Sequence, residues 1–465
     1  MIRRAGMLAL LALAACSRRD PEPTPAKIQP PDATVRAAPA LVPPGGQLGE
    51  RFLLGLAVYA VRSPRHDPRA LVQRALGDSD LRLVDAPPKT PSPQPVIAVL
   101  RPSASEHGVP DKGTLQYFAN GLSDRQKAEV LRTTSVTLLV VAGPATAALP
   151  AYRKALQLAE ELAKDQDGFL WDEETRELFT RDAWKKRLED WSAGIPPIDR
   201  HMTIHAYRHH DEGLMRLVTL GMAKLGLPDL AVNNVAAGDT RAMSNALNVL
   251  AQHLLEGRAV GTGGAFTLAL AEIRHPGLRK RLQEDSKKNA RGMGAVLLEQ
   301  AKPEEGDPRN RLVNVIVRET TASEQEGHAR LLDELFGSED KATGVRHDEA
   351  LLAASARARK KLLAMRERYS PKLPQLEQLL VKGPFAIPSG GNEWMWIEVV
   401  RWKGTTLEGI LQNDAFDIPG LRAGTRVSVE EASVFDYIQI HADGTREGNE
   451  TAKLLDAQGG PERTK

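Results

Sequence analysis

The stretch HMTIHAYRHHD holds four residues whose chemistry is readily named: His201, His205, His209 and Asp211. In a strand, residues two apart share a face. That pattern puts His201, Thr203, His205, Tyr207 and His209 on one side, and Met202, Ile204 and Ala206 on the other. Imidazoles and a carboxylate are ligands for zinc or nickel. At about 3.3 Å of rise per residue, neighbours on one face stand roughly 7 Å apart and His201 lies roughly 27 Å from His209. One ion could therefore be shared by a single adjacent pair, completed from a second strand. A polar, partly solvated sheet face is the expectation, with a zinc site as the alternative.

The acids Asp172, Glu173 and Glu174 could supply paired carboxylates for acid–base work. Their setting, FLWDEETRELF, reads as a hairpin turning at the acids, which points to a solvated turn. GTGGAF, Gly261 to Phe266, lacks the Gly-Lys-Ser/Thr ending through which a phosphate loop meets phosphates and magnesium, so it reads as a turn. No Gly-x-Ser-x-Gly elbow, His-Glu-x-x-His helix or calcium-loop pattern occurs in the chain. In EWMWIEVVRW, strand alternation places Trp394, Trp396, Val400 and Trp402 opposite Met395, Ile397 and Val399. Both faces are apolar. The segment is either a central strand buried on both sides or a binding strand whose three indoles meet a partner.

The elements that must position these residues follow from periodicity and caps. LLGLAVYAV, PVIAVL and VTLLVV read as strands. DPRALVQRAL reads as a helix with Asp67 as N-cap and Pro68 at its first position, and SDRQKAEVLRTT as one capped by Ser123. ATAALPAYRKALQLAEELAKD and RAMSNALNVLAQHLLEG are longer helices. GLRKRLQEDSKKNARGMGAVLLEQ reads as helix-rich, LVNVIVRE as a strand and SEQEGHARLLDELFG as a helix. HDEALLAASARARKKLLAMRERY is amphipathic, with Leu351, Ala358, Leu362 and Met365 on one face. Its basic run Arg357, Arg359, Lys360, Lys361, Arg366 and Arg368 reads as a solvated face, with anionic lipid as the alternative contact.

Strands and helices interleave without a strict parallel rhythm, so the expected class is α+β with mainly antiparallel sheets in two domains. The expected boundaries are 47–272 for the first domain, 273–345 for a helical connecting module that could belong to it, and 346–455 for the second. Residues 456–465 are expected to be a disordered tail. Residues 20–46 hold eight prolines and few large apolar side chains, which predicts an unfolded spacer.

The chain has 62 Lys+Arg against 60 Asp+Glu. That balance lacks the electrostatic footprint of a nucleic-acid binder. It opens with Arg3 and Arg4, an apolar run Met7 to Ala15, and Leu13-Ala14-Ala15-Cys16. A charged start followed by a short apolar run is an export signal. The last four residues resemble the lipobox of bacterial lipoproteins. That resemblance implies removal of residues 1–15, acylation of Cys16 by lipid such as palmitate, a tether over 16–46, and a place on the periplasmic side of a membrane. Ser17 after the cysteine favours the outer membrane. Cys16 is the only cysteine of 465 residues, which removes disulfides and cysteine-based zinc sites.

Two family resemblances complete the reading. From the amphipathic helix onward, Lys382, Pro384, Phe385, Glu393, Trp396, Gly409, Leu411, Asn413, Phe416, Gly424, Val427, Asp436 and Gly448 fall in the order seen in the YegJ-like bacterial family, domain of unknown function 2314. Asp436-Tyr437 stands where members commonly show Asp-Trp. The likeness implies a small α+β fold and a family that occurs in modular proteins, some with immunity-like domains. TLGMAKLGLPDLAV in the middle region resembles domain of unknown function 4261. Together these readings predict a lipid-anchored envelope protein that binds another protein, such as an immunity factor, without catalysis and with no cofactor beyond its lipid. The alternatives are a metal-dependent hydrolase built on the His strand, and a passive structural envelope protein.

Overall fold

The computed structural model describes residues 27–28, 49–88, 91–119, 121–208, 213–287, 289–317, 324–337, 349–366, 377–441 and 445–457. The signal, Cys16, His209, Asp211 and the tail 458–465 lie outside these residues. Strand β1 (Lys27–Ile28) falls within the proline-rich segment.

The first sheet is built from β2 (Arg51–Tyr59), β3 (Arg82–Val84), β4 (Val96–Leu100), β5 (Val136–Pro144), β6 (Phe169–Asp172) and β7 (Glu177–Phe179). Their order is β3-β4-β5-β2-β6-β7, and only β3 and β4 run parallel. Its helices are α1 (Pro68–Leu76), α2 (Ala104–His107), α3 (Lys112–Phe118), α4 (Asp124–Leu131), α5 (Ala148–Gln166) and α6 (Arg181–Glu189). Asp67 caps α1 by accepting from Ala70 N, and Ser123 opens α4 with a reciprocal Gln126 contact. In α5, Tyr152, Ala155, Leu156, Ala159, Leu162 and Ala163 recur at helical spacing and are buried. Each large apolar side chain of this kind contributes about 1.5–3 kcal/mol when removed from water.

The second sheet takes β8 (Thr203–Arg208), β9 (Met215–Leu220), β10 (Asp229–Val235), β11 (Ala265–Ala269), β12 (Met293–Gln300) and β13 (Leu312–Ile316), in the order β11-β12-β13-β10-β9-β8. Helices α7 (Thr240–Leu255), α8 (Pro276–Glu284) and α9 (Glu324–Phe336) accompany it. One hydrophobic cluster runs through both sheets, from Leu54 and Leu139 to Leu298, Val313 and Leu335. The stretch read as helix-rich therefore divides: α8 ends at Glu284, and MGAVLLEQ is β12, alternating buried and open positions. Residues 273–345 thus supply two inner strands of this sheet, and its core does not stop at 272. GTGGAF forms a tight turn in which Gly264 sits at φ +82°, where any side chain would run into the Leu298 carbonyl.

The C-terminal body has its own core, with Leu379, Val381, Met395, Ile397 and Leu407 packed under Ala358 and Leu362. It contains α10 (Glu349–Met365), β14 (Gln378–Ala386), β15 (Asn392–Lys403), β16 (Thr406–Leu411), β17 (Arg426–Glu430), β18 (Asp436–Ile440), β19 (Arg446–Gly448) and α11 (Glu450–Ala457). The antiparallel order is β1-β17-β16-β15-β14-β18-β19, so Lys27–Ile28 pairs with the β17 edge rather than belonging wholly to a structureless spacer. An Arg208–Glu398 ion pair links β8 to β15. The architecture is mixed α+β with mainly antiparallel sheets packed against helices. Among the described residues no helix is long and apolar enough to cross a membrane.

Candidate functional site

The β6–β7 hairpin carries the acidic cluster and splits it between two environments. Asp172 is fully buried and accepts from Lys224 Nζ at 2.6 Å, Arg187 Nη2 at 3.0 Å, and the backbone N–H groups of Glu174 and Thr175. Burial alone would push its carboxyl up, but the ammonium and guanidinium outweigh that and hold it below the usual carboxylate value. Arg187 also donates to Tyr152 Oη at 3.2 Å and stacks over the rings of Phe179 and Trp184. Gly221, at φ +106°, lets the chain pass close to Lys224 and Thr175.

His201 belongs to this buried network. It is not on β8 but follows a 3₁₀ turn over Ile198–Arg200, and its Nδ1 lies 2.9 Å from Tyr152 Oη. Burial, reinforced by Arg187 and Lys224, pushes its pKa well below the ordinary histidine value. The alternation that placed His201 and His205 on one strand face thus fails: β8 begins only at Thr203. Among the described residues no group of three His, Cys, Asp or Glu side chains could hold a metal ion.

On the other side of the hairpin, Glu173 and Arg176 line an open cleft of about 490 Å³. Its other walls include Tyr59, Trp171, Phe118, His205, Val109 and Thr114, together with His107 and Asp111. Capping fixes these loops, since Ser103 closes a capping box at the start of α2 and Asp111 caps α3 by accepting from Thr114 N at 2.7 Å. His107 Nε2 stands 2.9 Å from Glu173, and Tyr59 donates to Gly108 O at 3.0 Å. His205 stacks on Phe118 with ring centroids 5.0 Å apart, and its buried Nε2 has no hydrogen-bond partner. Burial first, and Arg176 second, lower its pKa to about 4, so the ring is neutral at pH 7. Arg176 holds the left-handed conformation at φ +58°, exposed at the rim, and makes no ion pair among the described residues. The third acid, Glu174, is pushed up to about 7 by burial and by Asp172.

The tryptophans also separate. A register shift between Val399 and Arg401 adds a residue to β15 and reverses its facing. Trp402 consequently pairs with the core residue Leu407, packs against the C-terminal core and donates to Glu431 at 3.2 Å. Trp394 and Trp396 stay on the opposite face, half-buried, with Phe435 beside the first and Lys382 Nζ 5.9 Å from the second ring. The basic run of α10 is partly spent within its own body: Lys361 pairs with Glu450, Arg366 with Glu431, and Arg359 donates to Ala432 O. Arg368 lies outside the described residues.

Arg187, Lys224, Tyr59, His107 and Arg176 escaped the sequence reading. Arg187 was detectable, because with Trp184 and Leu188 it falls on the inward stripe of α6, and so was Lys224, set between Met222 and Leu225. The cleft residues come from β2, the α2–α3 region, the β6–β7 hairpin and β8, segments far apart in sequence, and carry no local signal.

Residues 348–465 match the family described as "Uncharacterized protein conserved in bacteria (DUF2314)". The chain thus contains a domain of that family in its last quarter. No curated protein and no solved structure matches the chain.

Proposed function

We propose that this chain is an exported, lipid-anchored binding protein of the bacterial envelope that captures a partner without chemical turnover. The observation that carries the binding reading is how the cleft uses its polar groups. The hydroxyl of Tyr59 and the carboxylate of Asp111 are each committed to bonds that hold the walls, and His107 Nε2 lies close to Glu173 without a hydrogen bond. The Arg176 guanidinium and the His205 Nε2 are left without partners there. Such a site is built to hold a ligand rather than to pass a proton between an oriented base and a nucleophile.

The address rests on Arg3, Arg4, the apolar run to Ala15, and Leu13-Ala14-Ala15-Cys16. Acylation at Cys16 would anchor the chain, with the outer membrane favoured by Ser17 and an immunity-type factor as the sharper form of the role. TLGMAKLGLPDLAV, the basis for likeness to domain of unknown function 4261, spans Thr219 to Val232 and delivers Lys224 to the buried network.

Metabolic labelling with a palmitate analogue tests the anchor. Wild-type protein takes the label and sediments with membranes, whereas Cys16→Ala does neither; equal labelling of both would sink it. Cross-linking in envelope extract tests capture, with one stoichiometric protein partner as the expected result and background alone as the refuting one.

A further inference from the structure

We infer that the cleft between α2, α3 and the β6–β7 hairpin binds the carboxylate of a ligand whose apolar side group lies against Trp171, Tyr59 and Phe118. This deepens the binding reading and rests on it. Three observations converge. First, a guanidinium stands free at the rim: Arg176 is exposed, lines the cleft and has no ion pair among the described residues. Its planar fork matches two carboxylate oxygens. Second, the neighbouring imidazole of His205 is neutral and has an unpartnered Nε2, a buried polar atom that a ligand group would satisfy. Third, the walls are mixed. Trp171 and Tyr59 are buried, Phe118 is half-buried, and Val109 and Pro110 complete an apolar surface. The volume falls in the roughly 300–1,000 Å³ range of small-ligand pockets.

The same wall excludes a more highly charged anion. Asp111 and Glu173 both line the cleft, and a phosphate dianion would meet two carboxylates for one unpaired arginine. A monoanion meets less repulsion and needs only one fork. Two sources present this chemistry: a free amino or small organic acid, and the C-terminus of a polypeptide.

Calorimetric titration of the full-length protein in detergent distinguishes them. The probes are pools of N-acetylated tripeptides ending in Phe, Leu or Val, the same pools as C-terminal amides, the three free amino acids, and inorganic phosphate. The peptide acids are expected to bind at least about tenfold more tightly than their amides, a difference of roughly 1.4 kcal/mol. Arg176→Gln should erase that preference while leaving thermal unfolding unchanged, and His205→Gln should weaken it. Free amino acids binding as well as the peptides assign the site to a small metabolite; peptides alone assign it to a chain terminus. Equal binding of acid and amide, no binding of either, tighter binding of phosphate, or an acid preference that survives Arg176→Gln each overturns the inference. Absence of any acid preference in the wild-type protein, while it still captures a stoichiometric partner, refutes this inference alone, whereas acid-selective binding followed by cleavage of the peptide refutes the non-catalytic reading alone.

Discussion

Asp172 and Glu173 are adjacent in sequence and opposite in circumstance. Asp172 is fully buried between two cations and two backbone donors, a closed arrangement that ties β6 to α6 and to the Lys224 turn. Glu173 is half-buried, meets His107 and faces a cleft with an unpaired arginine. One charged turn therefore closes a buried network on its inner side and lines an open cleft on its outer side. Charge alone does not assign a residue to a site; what matters is whether its partners are already in place. A buried ion with a complete set of partners has no capacity left for a ligand.

The sharpest way to break this contrast is to remove the inner charge. Asp172→Asn leaves Arg187 and Lys224 buried without their anion and should cost about 3–5 kcal/mol in urea unfolding. Glu173→Gln, one residue on, should cost less than about 1 kcal/mol, because its pair is partly solvated. Equal losses would erase the distinction.

Glu174 gives the next effect. Its folded pKa of about 7 lies above the unfolded value, so the folded state holds its proton longer. Its contribution is present below pH 4.5 and is lost as pH rises through 7. Glu174→Gln should therefore raise stability by about 1–2 kcal/mol at pH 8 and leave it unchanged at pH 4. A comparable shift of the opposite sign belongs to the cleft. His205 binds its proton near pH 4 when folded and near 6.5 when unfolded, so the unfolded chain protonates first as pH falls. Stability from this group is complete above pH 6.5 and declines toward pH 4. His205→Gln should make the drop in urea midpoint between pH 7 and pH 5 measurably shallower; an identical drop would show that the ring is not held neutral.

Much of the secondary structure was readable because its signals are local. Asp67 and Ser123 announce helix starts, and the apolar run of β5 needs no context. MGAVLLEQ misled because an apolar run after a helix fits either period, and its pairing with β11 and β13 decided the matter. Trp402 misled because a bulge is invisible to strict alternation. Of the His stretch, His205 reached a cleft and His201 was taken by a buried hydroxyl, outcomes set by Phe118 and Tyr152 from distant segments. Long-range assembly of that kind leaves no pattern at fixed spacing.

The pairing of Lys27–Ile28 with β17 has a mechanical meaning. Lys27 lies eleven residues beyond Cys16, and an extended chain covers at most about 3.6 Å per residue. With Cys16 acylated as proposed, the C-terminal body is held within roughly 40 Å of the bilayer surface while β1 is in place. In that proposed arrangement a pull on a captured partner would load this two-residue strand before any hydrophobic core, and the strand would act as a fuse.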